Sequence, residues 1–323
     1  QELVVVIAST YAEKKLKPFV KSEGFKKEIR GKKEYKRTVI DLLNEDKVTL
    51  SFEVFPPKTS SRYENVLKAA EKIASLNPNF MSVTYGAGGG TSAHTVALAK
   101  DIHEKYGVEV MAHLTCVSST REHVESMVEQ FKENGIENIM ALRGDIPSDG
   151  KVGEDYQYAC QLIKELKAKG DFCIGAACYP EGHVESPSIK EDIQHLKEKV
   201  EAGADFLTTQ MFFDNNVFYN FLYKIKEAGI NVPVVAGIMP ITNAKQVSRA
   251  VQMSGTSIIP YRFKMMVDAF GDNPEIMKQV GIIYASEQII DLIANGVKHI
   301  HVYTMNKPDV AEGIMNNLSE LLK

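Results

Sequence analysis

Short apolar runs alternate with amphipathic segments from about residue 48 to the C-terminus. Apolar runs rich in β-branched residues indicate strands, and apolar residues at helical spacing indicate helices. The strands are predicted at residues 48–55, 80–85, 109–116, 136–142, 171–179, 204–213, 231–238 and 297–303. The helices are predicted at 60–76, 92–106, 120–134, 156–168, 188–202, 216–228, 243–253 and 275–295, and after the last strand.

Strict alternation of strand and helix implies a parallel sheet, and the eight repeats favour an α/β fold of the (β/α)8 TIM barrel type. The alternative is an open, doubly wound sheet that binds a dinucleotide. The nearest match to its Gly-x-Gly-x-x-Gly motif is GAGGGT at residues 86–91, where Thr91 replaces the last glycine. Glycines follow four of the predicted helices as C-terminal stops: Gly135, Gly203, Gly229 and Gly296. We therefore predict a barrel domain at 38–323 after an extension at 1–37.

A carboxylate stands inside the first predicted strand, within SFEVFPPKTS at residues 51–60. Thr49, Ser51 and Glu53 share one face of this strand, and apolar residues share the other. In a barrel the apolar face meets the helices, so Glu53 looks inward at the C-terminal mouth, where barrel enzymes place catalytic groups. Glu53 is a candidate general acid. The alternative is a structural carboxylate that caps a backbone N–H, and the spacing alone favours neither.

Polar residues recur at the ends of other predicted strands. They are His113 and Thr115 on the third strand, Arg143 and Asp145 after the fourth, Gln210 near the end of the sixth, and His299, His301 and Tyr303 on the eighth. Because a barrel interior is normally filled with Val, Ile and Leu, this many inward polar groups indicates a site.

Three loops carry further candidate chemistry. In ALRGDIP, Gly144 would let a flat ligand approach and Asp145 could contact a ring N–H, although a local Arg143–Asp145 ion pair is the simpler interpretation. The glycines of VTYGAGGGT could cradle a phosphate or a cofactor, or form a plain loop. In YPEGH, His183 lacks the further ligands at defined spacing that a metal site needs.

Composition narrows the class of protein. The chain has 323 residues, of which 44% are hydrophobic and 25% charged, and its net charge of −4 does not suggest nucleic acid binding. No apolar run approaches the roughly 20 residues of a membrane span. The four cysteines form no Cys-x-x-Cys pair, which favours small buried side chains in a cytoplasmic protein. Residues 1–37 are basic, and they form either a docking arm or a solvated helical extension.

Taken together, several stretches resemble the methylenetetrahydrofolate reductases of the short bacterial type, over about residues 38–322. They occur in the family's order and near its spacing: LSFEVFPPK, VTYGAGGGT, AHLTCVSSTREH, NIMALRGDIP, YPEGHVES, LKEKVEAGADFLTTQMFFD, GIMPITNAKQ and HVYTMNK. The resemblance implies a (β/α)8 barrel that binds FAD tightly but non-covalently. It also implies reduction of 5,10-methylenetetrahydrofolate to 5-methyltetrahydrofolate, a step linked to methionine biosynthesis, with no metal.

The resemblance also implies roles for individual residues. Glu53 matches the glutamate that protonates folate N10, and Asp145 matches the aspartate beside the flavin pyrimidine edge, whose charge makes reduced flavin a better hydride donor. Gln210, Tyr303 and Lys307 match substrate-binding positions. The positions that match FAD-binding residues are Thr84, Tyr85, His113, Arg143, Gly144, Asp145, Tyr179, His183, Asp192 and Lys199.

The sequence departs from the family pattern in places that bear on the electron donor. Lys307 stands where some relatives have arginine, so bidentate carboxylate recognition is lost there. Ala250 is assigned to a position where a relative has a large aromatic residue, against which substrate or NADH stacks. The donor is therefore NADH, NADPH or a partner protein, and a homo-oligomer or a complex with a partner subunit is expected. The alternatives are a folate-binding methyltransferase-type barrel without flavin and a non-catalytic subunit of an electron-transfer complex.

Overall fold

A computed structural model of the chain describes residues 37–57, 59–85, 92–146, 150, 152–254 and 258–323, without the side chains of 252–254. The predicted extension at 1–37, apart from its last residue, lies outside the described residues. The same holds for the glycine loop at 86–91. The boundary at residue 38 therefore stays a prediction.

Within the described residues, eight parallel strands close into a barrel in the order of the chain. Each strand pairs with the next, and the last pairs with the first, Glu53 lying beside Tyr303. The strands are β1 Thr49–Val54, β2 Phe80–Val83, β3 Glu109–Thr115, β4 Asn138–Leu142, β5 Cys173–Cys178, β6 Phe206–Thr209, β7 Val234–Ile238 and β8 His299–Tyr303. The predicted (β/α)8 barrel is confirmed, and the open sheet is excluded.

Helices surround the barrel and connect its strands. They are α1 Val39–Leu43, α2 Tyr63–Ala74, α3 Ser92–Tyr106, α4 Arg121–Glu133, α5 Ala159–Lys169, α6 Ile189–Glu201, α7 Asn215–Glu227, α8 Lys245–Ser254, α9 Tyr261–Phe270, α10 Pro274–Ala294 and α11 Pro308–Leu318. Local signals fix several helix starts. Thr120 accepts a hydrogen bond from the His123 N–H before α4, and Asn273 caps α10 ahead of Pro274.

The sequence pattern predicts neither α1 nor α9, and it makes β6 too long. The predicted strand at 204–213 ends at Thr209, although Phe212 and Phe213 beyond it are buried. The apolar sequence therefore continues past the end of the strand into a buried loop. An apolar run alone does not show where the strand ends and the loop begins. None of the helices in the described ranges combines the length and apolar composition that a bilayer crossing requires.

The barrel interior is filled mainly by apolar side chains at its N-terminal end and is lined by more polar ones at its C-terminal end. Inward side chains of the lower layer include Phe80, Met140 and Phe206, and α1 packs against them through Val39 and Leu42. A larger apolar cluster fills the space between the strands and the surrounding helices. Because the lower end is filled and covered, a ligand can enter the interior at the upper end, where the strands point.

Candidate active site

A cavity of about 1470 Å³ opens at the C-terminal ends of the strands. It exceeds the roughly 300–1,000 Å³ typical of a site for one small molecule, so it has room for a large cofactor together with a second ligand. Most of the residues singled out from the sequence line it: Glu53, Tyr85, His113, Arg143, Gly144, Asp145, Tyr179, His183, Asp192, Lys199, Gln210 and Tyr303.

Glu53 lies on the cavity wall near the end of β1, with its side chain 20% exposed. Its Oε2 lies 3.8 Å from His113 Nε2 and 4.0 Å from His301 Nε2, beyond hydrogen-bond distance of both. Among the described residues, no group donates a hydrogen bond to this carboxylate. The interpretation of Glu53 as a structural cap therefore finds no donor, and its carboxyl group is free to face a ligand.

The backbone that carries Glu53 is fixed by the loop after β8. Thr304 Oγ1 donates a hydrogen bond of 2.7 Å to the Glu53 carbonyl oxygen. Asn306 accepts from the Phe55 N–H at 2.9 Å and donates to the Phe55 carbonyl at 2.8 Å. These contacts join the ends of β1 and β8 through the HVYTMNK segment, so the carboxylate is presented from a held strand end.

His301 is oriented by serines on β1 and β2. Ser51 Oγ donates to the Ile300 carbonyl oxygen at 3.0 Å and lies 2.8 Å from His301 Nδ1. Since the hydroxyl has only one proton, it accepts from His301 Nδ1–H. Ser82 Oγ then donates to Nε2 at 3.1 Å. The imidazole edge toward Glu53 is thereby held in a fixed orientation.

His113 is the other imidazole beside Glu53, and it is buried. Burial, opposed by the charge of Glu53 and aided by His301, lowers the pKa of His113 to about 4. His113 is therefore neutral near pH 7. Within the described part of the chain, its Nε2 has no hydrogen-bond partner. A buried nitrogen in this state marks a place where a ligand can bond.

The buried histidines make stability depend on pH. Burial also lowers the pKa of His299 to about 4, at the opposite end of β8 from Tyr303. Because unfolded histidine has a pKa of 6.5, the unfolded chain binds more protons than the folded protein between pH 6.5 and 4. We expect the melting temperature to fall through this window, and to fall less in His299→Gln. Thermal unfolding at pH 7 and at pH 4.5 measures the fall in melting temperature for the wild type and for His299→Gln. An equal fall in the two proteins would show that His299 does not contribute to the pH dependence.

Tyr303 forms the wall beside Glu53 and reaches across β7. Its hydroxyl donates to the Thr209 carbonyl oxygen at 2.6 Å, and burial raises its pKa well above the usual value. The path crosses Gly237, where a Cβ atom would lie 2.3 Å from Thr209 O and 2.6 Å from the Tyr303 hydroxyl. Gly237 therefore permits the crossing. Because the Tyr303 proton is already committed, this residue shapes the site rather than supplying acid.

Two basic side chains, Arg143 and Lys199, lie on the side of the cavity formed by β4, β5 and α6. Arg143 makes a two-pronged pair with Glu185, at 2.5 and 2.8 Å, which raises the pKa of Arg143. The Lys199 ammonium donates to the Ala177 carbonyl at 2.9 Å, and burial lowers its pKa. The simpler interpretation of ALRGDIP paired Arg143 with Asp145. In the structure Arg143 pairs with Glu185 instead, and Asp145 is exposed.

Aromatic and small residues lie beside these charges. Tyr179 stacks edge-to-face on His183 at 4.6 Å, and the Lys199 ammonium lies 5.9 Å from the Tyr179 ring centre. Gly144 has a φ of +88°, and a Cβ atom there would lie 3.0 Å from Thr115 Cβ. Backbone conformation and packing are therefore sufficient reasons for glycine at 144, without a ligand. The described residues contain no cluster of His, Cys, Asp and Glu that could hold a metal ion.

Two predicted site residues lie off this cavity. Thr84 is half-buried, and its carbonyl accepts from Thr95 Oγ1. Lys307 lines a separate hollow of about 370 Å³, where its ammonium donates to Thr242 Oγ1 at 2.7 Å. The connection to the main cavity is indirect, because Thr242 in turn donates to Gln246, which lines that cavity.

The alanine assigned to the aromatic position lies in α8, after the NAKQ motif at residues 243–246. Ala250 lies on the cavity wall, 4% exposed. Ala244 lies against Gly271. Neither alanine offers an aromatic face, and the assignment of Ala250 to the aromatic position stays a prediction.

Sequence reasoning missed several residues that build the site. Glu185 pairs with Arg143, Ser51 and Ser82 orient His301, and Thr208 lines the cavity. The quoted motifs YPEGHVES and LSFEVFPPK contain Glu185 and Ser51, so the alternation along β1 was a usable signal for Ser51. Alternation along β6 indicates that Thr208 faces inward, but its lack of a hydrogen-bond partner depends on neighbouring strands and had no signal in the sequence.

Comparisons with known proteins match this chain to methylenetetrahydrofolate reductases. The family model for methylenetetrahydrofolate reductase matches residues 38–319. A 5,10-methylenetetrahydrofolate reductase of Pectobacterium carotovorum is 38% identical, with 84% of this chain and 90% of that protein covered. The Escherichia coli enzyme of the same name is 37% identical, with the same coverage. A maize relative named methylenetetrahydrofolate reductase (NADH) 1 is 36% identical, covering 87% of this chain and 50% of that protein.

A solved structure shares the architecture. It is an uncharacterized protein from Clostridium thermocellum described as binding two copies of 5-methyl-5,6,7,8-tetrahydrofolic acid. The TM-score is 0.60 at 15% identity, with 87% of this chain and 96% of that chain covered. At this identity the likeness shows the fold alone.

Proposed function

The chain belongs to the methylenetetrahydrofolate reductase family, and from this premise we propose that it uses bound FAD to reduce 5,10-methylenetetrahydrofolate to 5-methyltetrahydrofolate. The observation that carries the proposal is Glu53. Its carboxyl group accepts no hydrogen bond from the described residues, lies near the imidazoles of His113 and His301 and faces a cavity large enough for a cofactor and a folate.

The cavity fits a flavin dinucleotide in size and in chemistry. Lys199 would supply positive charge for a phosphate, as would Arg143 on exchanging Glu185 for it, and Tyr179 would supply an aromatic face for a ring. The unbonded His113 Nε2 suits the polar edge of a heterocycle. Tyr85, Gly144, His183 and Asp192 line the same cavity, and Thr84 would contribute from its rim. When bound, FAD supplies the hydride for the reduction.

Glu53 supplies the proton that opens the folate ring. Its acid proton goes to N10, the bond between N10 and the methylene carbon breaks, and an iminium forms at N5. That carbon then accepts the hydride, so the product gains one proton and one hydride. Gln210 would hold the pterin, with Tyr303 forming the wall behind it. Lys307 would act from the outer hollow, near the end of the substrate distant from Glu53. Asp145 would lie beside the flavin pyrimidine edge, where negative charge favours hydride release.

Two features of the site bear on the identity of the electron donor. Neither Ala244 nor Ala250 offers the aromatic face on which a nicotinamide could stack, and Lys307 already bonds to Thr242. The candidate electron donors are therefore NADH, NADPH and a partner protein. The candidate assemblies are a homo-oligomer and a complex with a partner subunit. Steady-state reduction of the bound flavin by each dinucleotide separates these donors.

The purified protein should carry FAD. We expect an oxidised-flavin spectrum, release of free FAD on acid precipitation, and loss of folate reduction in the flavin-free protein. Adding back FAD should restore the activity, whereas FMN, which lacks the adenylate half, should not. The release measurement uses chromatography of the supernatant against FAD and FMN standards.

The same experiment separates the alternative functions. A colourless preparation that binds folate and transfers a methyl group would indicate the methyltransferase-type barrel. A flavoprotein that never oxidises its reduced flavin with folate would indicate the non-catalytic subunit. Full reductase activity in a preparation without any flavin would contradict the proposal.

A further inference from the structure

Thr208 carries a buried hydroxyl that the proposed reaction does not use. The residue lies on β6 in the wall of the main cavity and is 6% exposed. Among the residues that the structure describes, its Oγ1 has no hydrogen-bond partner. Burying a hydroxyl without a partner destabilises a protein, so such a group calls for an explanation.

The direction of the side chain follows from the alternation along β6. Phe206 belongs to the apolar cluster inside the barrel, and Leu207 belongs to the outer cluster beneath the helices. Thr208 therefore faces inward, one layer above Phe206 and one below Gln210. The next residue, Thr209, also lines the cavity, but its hydroxyl is used, because Thr209 Oγ1 accepts from the Gly237 N–H at 2.9 Å.

The neighbouring strands explain why Thr208 finds no partner in the protein. Ala177 lies beside it on β5 and Val235 lies beside it on β7. Gly175 lies below Ala177 and Gly237 lies above Val235, neither with a side chain, and Tyr179 follows above Ala177 at the cavity. Phe206 and Met140 occupy the space at Gly175, and Tyr303 crosses Gly237 with its hydroxyl committed to the Thr209 carbonyl oxygen. None of these groups bonds the Thr208 hydroxyl, which lies on the cavity wall.

We infer that Thr208 is a specificity-determining residue whose hydroxyl bonds the polar edge of a fused heterocycle bound in the cavity. This inference rests on the proposed function, which places a flavin and a pterin there. Both rings carry a pyrimidine-type edge with carbonyl and N–H groups, and a threonine hydroxyl can donate to one and accept from the other. The unbonded His113 Nε2 on the same cavity wall is a second group of this kind.

The test compares three variants of the full chain. Thr208→Val keeps the β-branched shape and removes the hydroxyl, whereas Thr208→Ser keeps the hydroxyl. Thr209→Val is the matched control at the next residue, whose hydroxyl is already bonded within the protein. We measure thermal unfolding of the flavin-free protein, titrate that protein with FAD, and titrate the flavin-loaded protein with 5-methyltetrahydrofolate.

We expect Thr208→Val to unfold at the wild-type temperature or above, because it removes a hydroxyl that no protein group satisfies. It should weaken the binding of either FAD or folate about tenfold, which is the effect of losing one hydrogen bond. Weaker FAD binding assigns the contact to the flavin, and weaker folate binding assigns it to the pterin. Thr208→Ser should retain binding, and Thr209→Val should lower the unfolding temperature by freeing the Gly237 N–H.

Two outcomes would overturn the inference. If Thr208→Val binds FAD and folate as tightly as the wild type does, the hydroxyl contacts neither ligand and bonds only to water. If Thr208→Val lowers the unfolding temperature as Thr209→Val does, the hydroxyl is structural. Failure of wild-type protein to bind FAD would instead contradict the proposed function, so the two failures are distinguishable.

Discussion

Glu53→Gln should bind FAD as the wild type does and reduce 5,10-methylenetetrahydrofolate at least about a hundredfold more slowly, the lower end of the usual effect of losing a general acid. Glutamine has the size of glutamate but has no acid proton to give to N10. The side chain is 20% exposed and receives no hydrogen bond from the described residues, so replacing it should leave the fold unchanged.

Rapid mixing separates the two halves of the reaction for this variant. Reduction of the flavin by its donor should proceed at the wild-type rate, whereas oxidation of the reduced flavin by the folate should slow. Glu198→Gln, which removes another carboxylate from the cavity wall, is the matched control and should leave both rates unchanged. A wild-type rate of flavin oxidation in Glu53→Gln would show that Glu53 is not the acid.

Gly281→Ala should strongly destabilise the barrel, by about 3 kcal/mol or more, at the upper end of overpacking effects. Gly281 lies within α10, where a Cβ atom would be 1.8 Å from the Ile241 carbonyl oxygen and 2.6 Å from its carbon. Both are backbone atoms of the loop after β7, so relief requires moving the helix or that loop. The loop also carries Thr242, which connects Gln246 to Lys307.

A second helical glycine provides the control for this substitution. At Gly313 in α11, the nearest atoms to a Cβ belong to the flexible Ile282 side chain, at 3.1 Å. Gly313→Ala should therefore change the free energy of unfolding by no more than about 1 kcal/mol, because the gain in helix propensity offsets a small side-chain shift. Denaturant unfolding of the two variants measures the difference. Similar values for both would contradict the close approach of α10 to the loop.

The barrel was predictable because its signal is local and repeated. Alternation along β1 alone separates Ser51 and Glu53 from the apolar residues, and the closed order of strands places them inward. The short α1 and the helix α9 escaped prediction. At β6, apolar residues continue into a buried loop at Phe212 and Phe213, and sequence pattern cannot distinguish burial in a loop from burial in a strand.

The site was predictable only where strand ends determine it. Glu53, His113 and Arg143 line the cavity because parallel strands end at one face. Their partners were not predictable, because Arg143 and Glu185 come from different loops and lie 42 residues apart. The unsatisfied hydroxyl of Thr208 depends on which residues face it from β5 and β7, and Lys307 lies in a separate hollow because it bonds to Thr242.

A single-turnover experiment without oxygen tests the proposed reaction most directly. The flavin-loaded protein is reduced chemically, freed of reductant and mixed with 5,10-methylenetetrahydrofolate while the flavin absorbance is followed. We predict that the flavin is reoxidised and that one 5-methyltetrahydrofolate forms for each flavin. Flavin that stays reduced in the presence of the folate, or that reoxidises without forming 5-methyltetrahydrofolate, would contradict the proposed function.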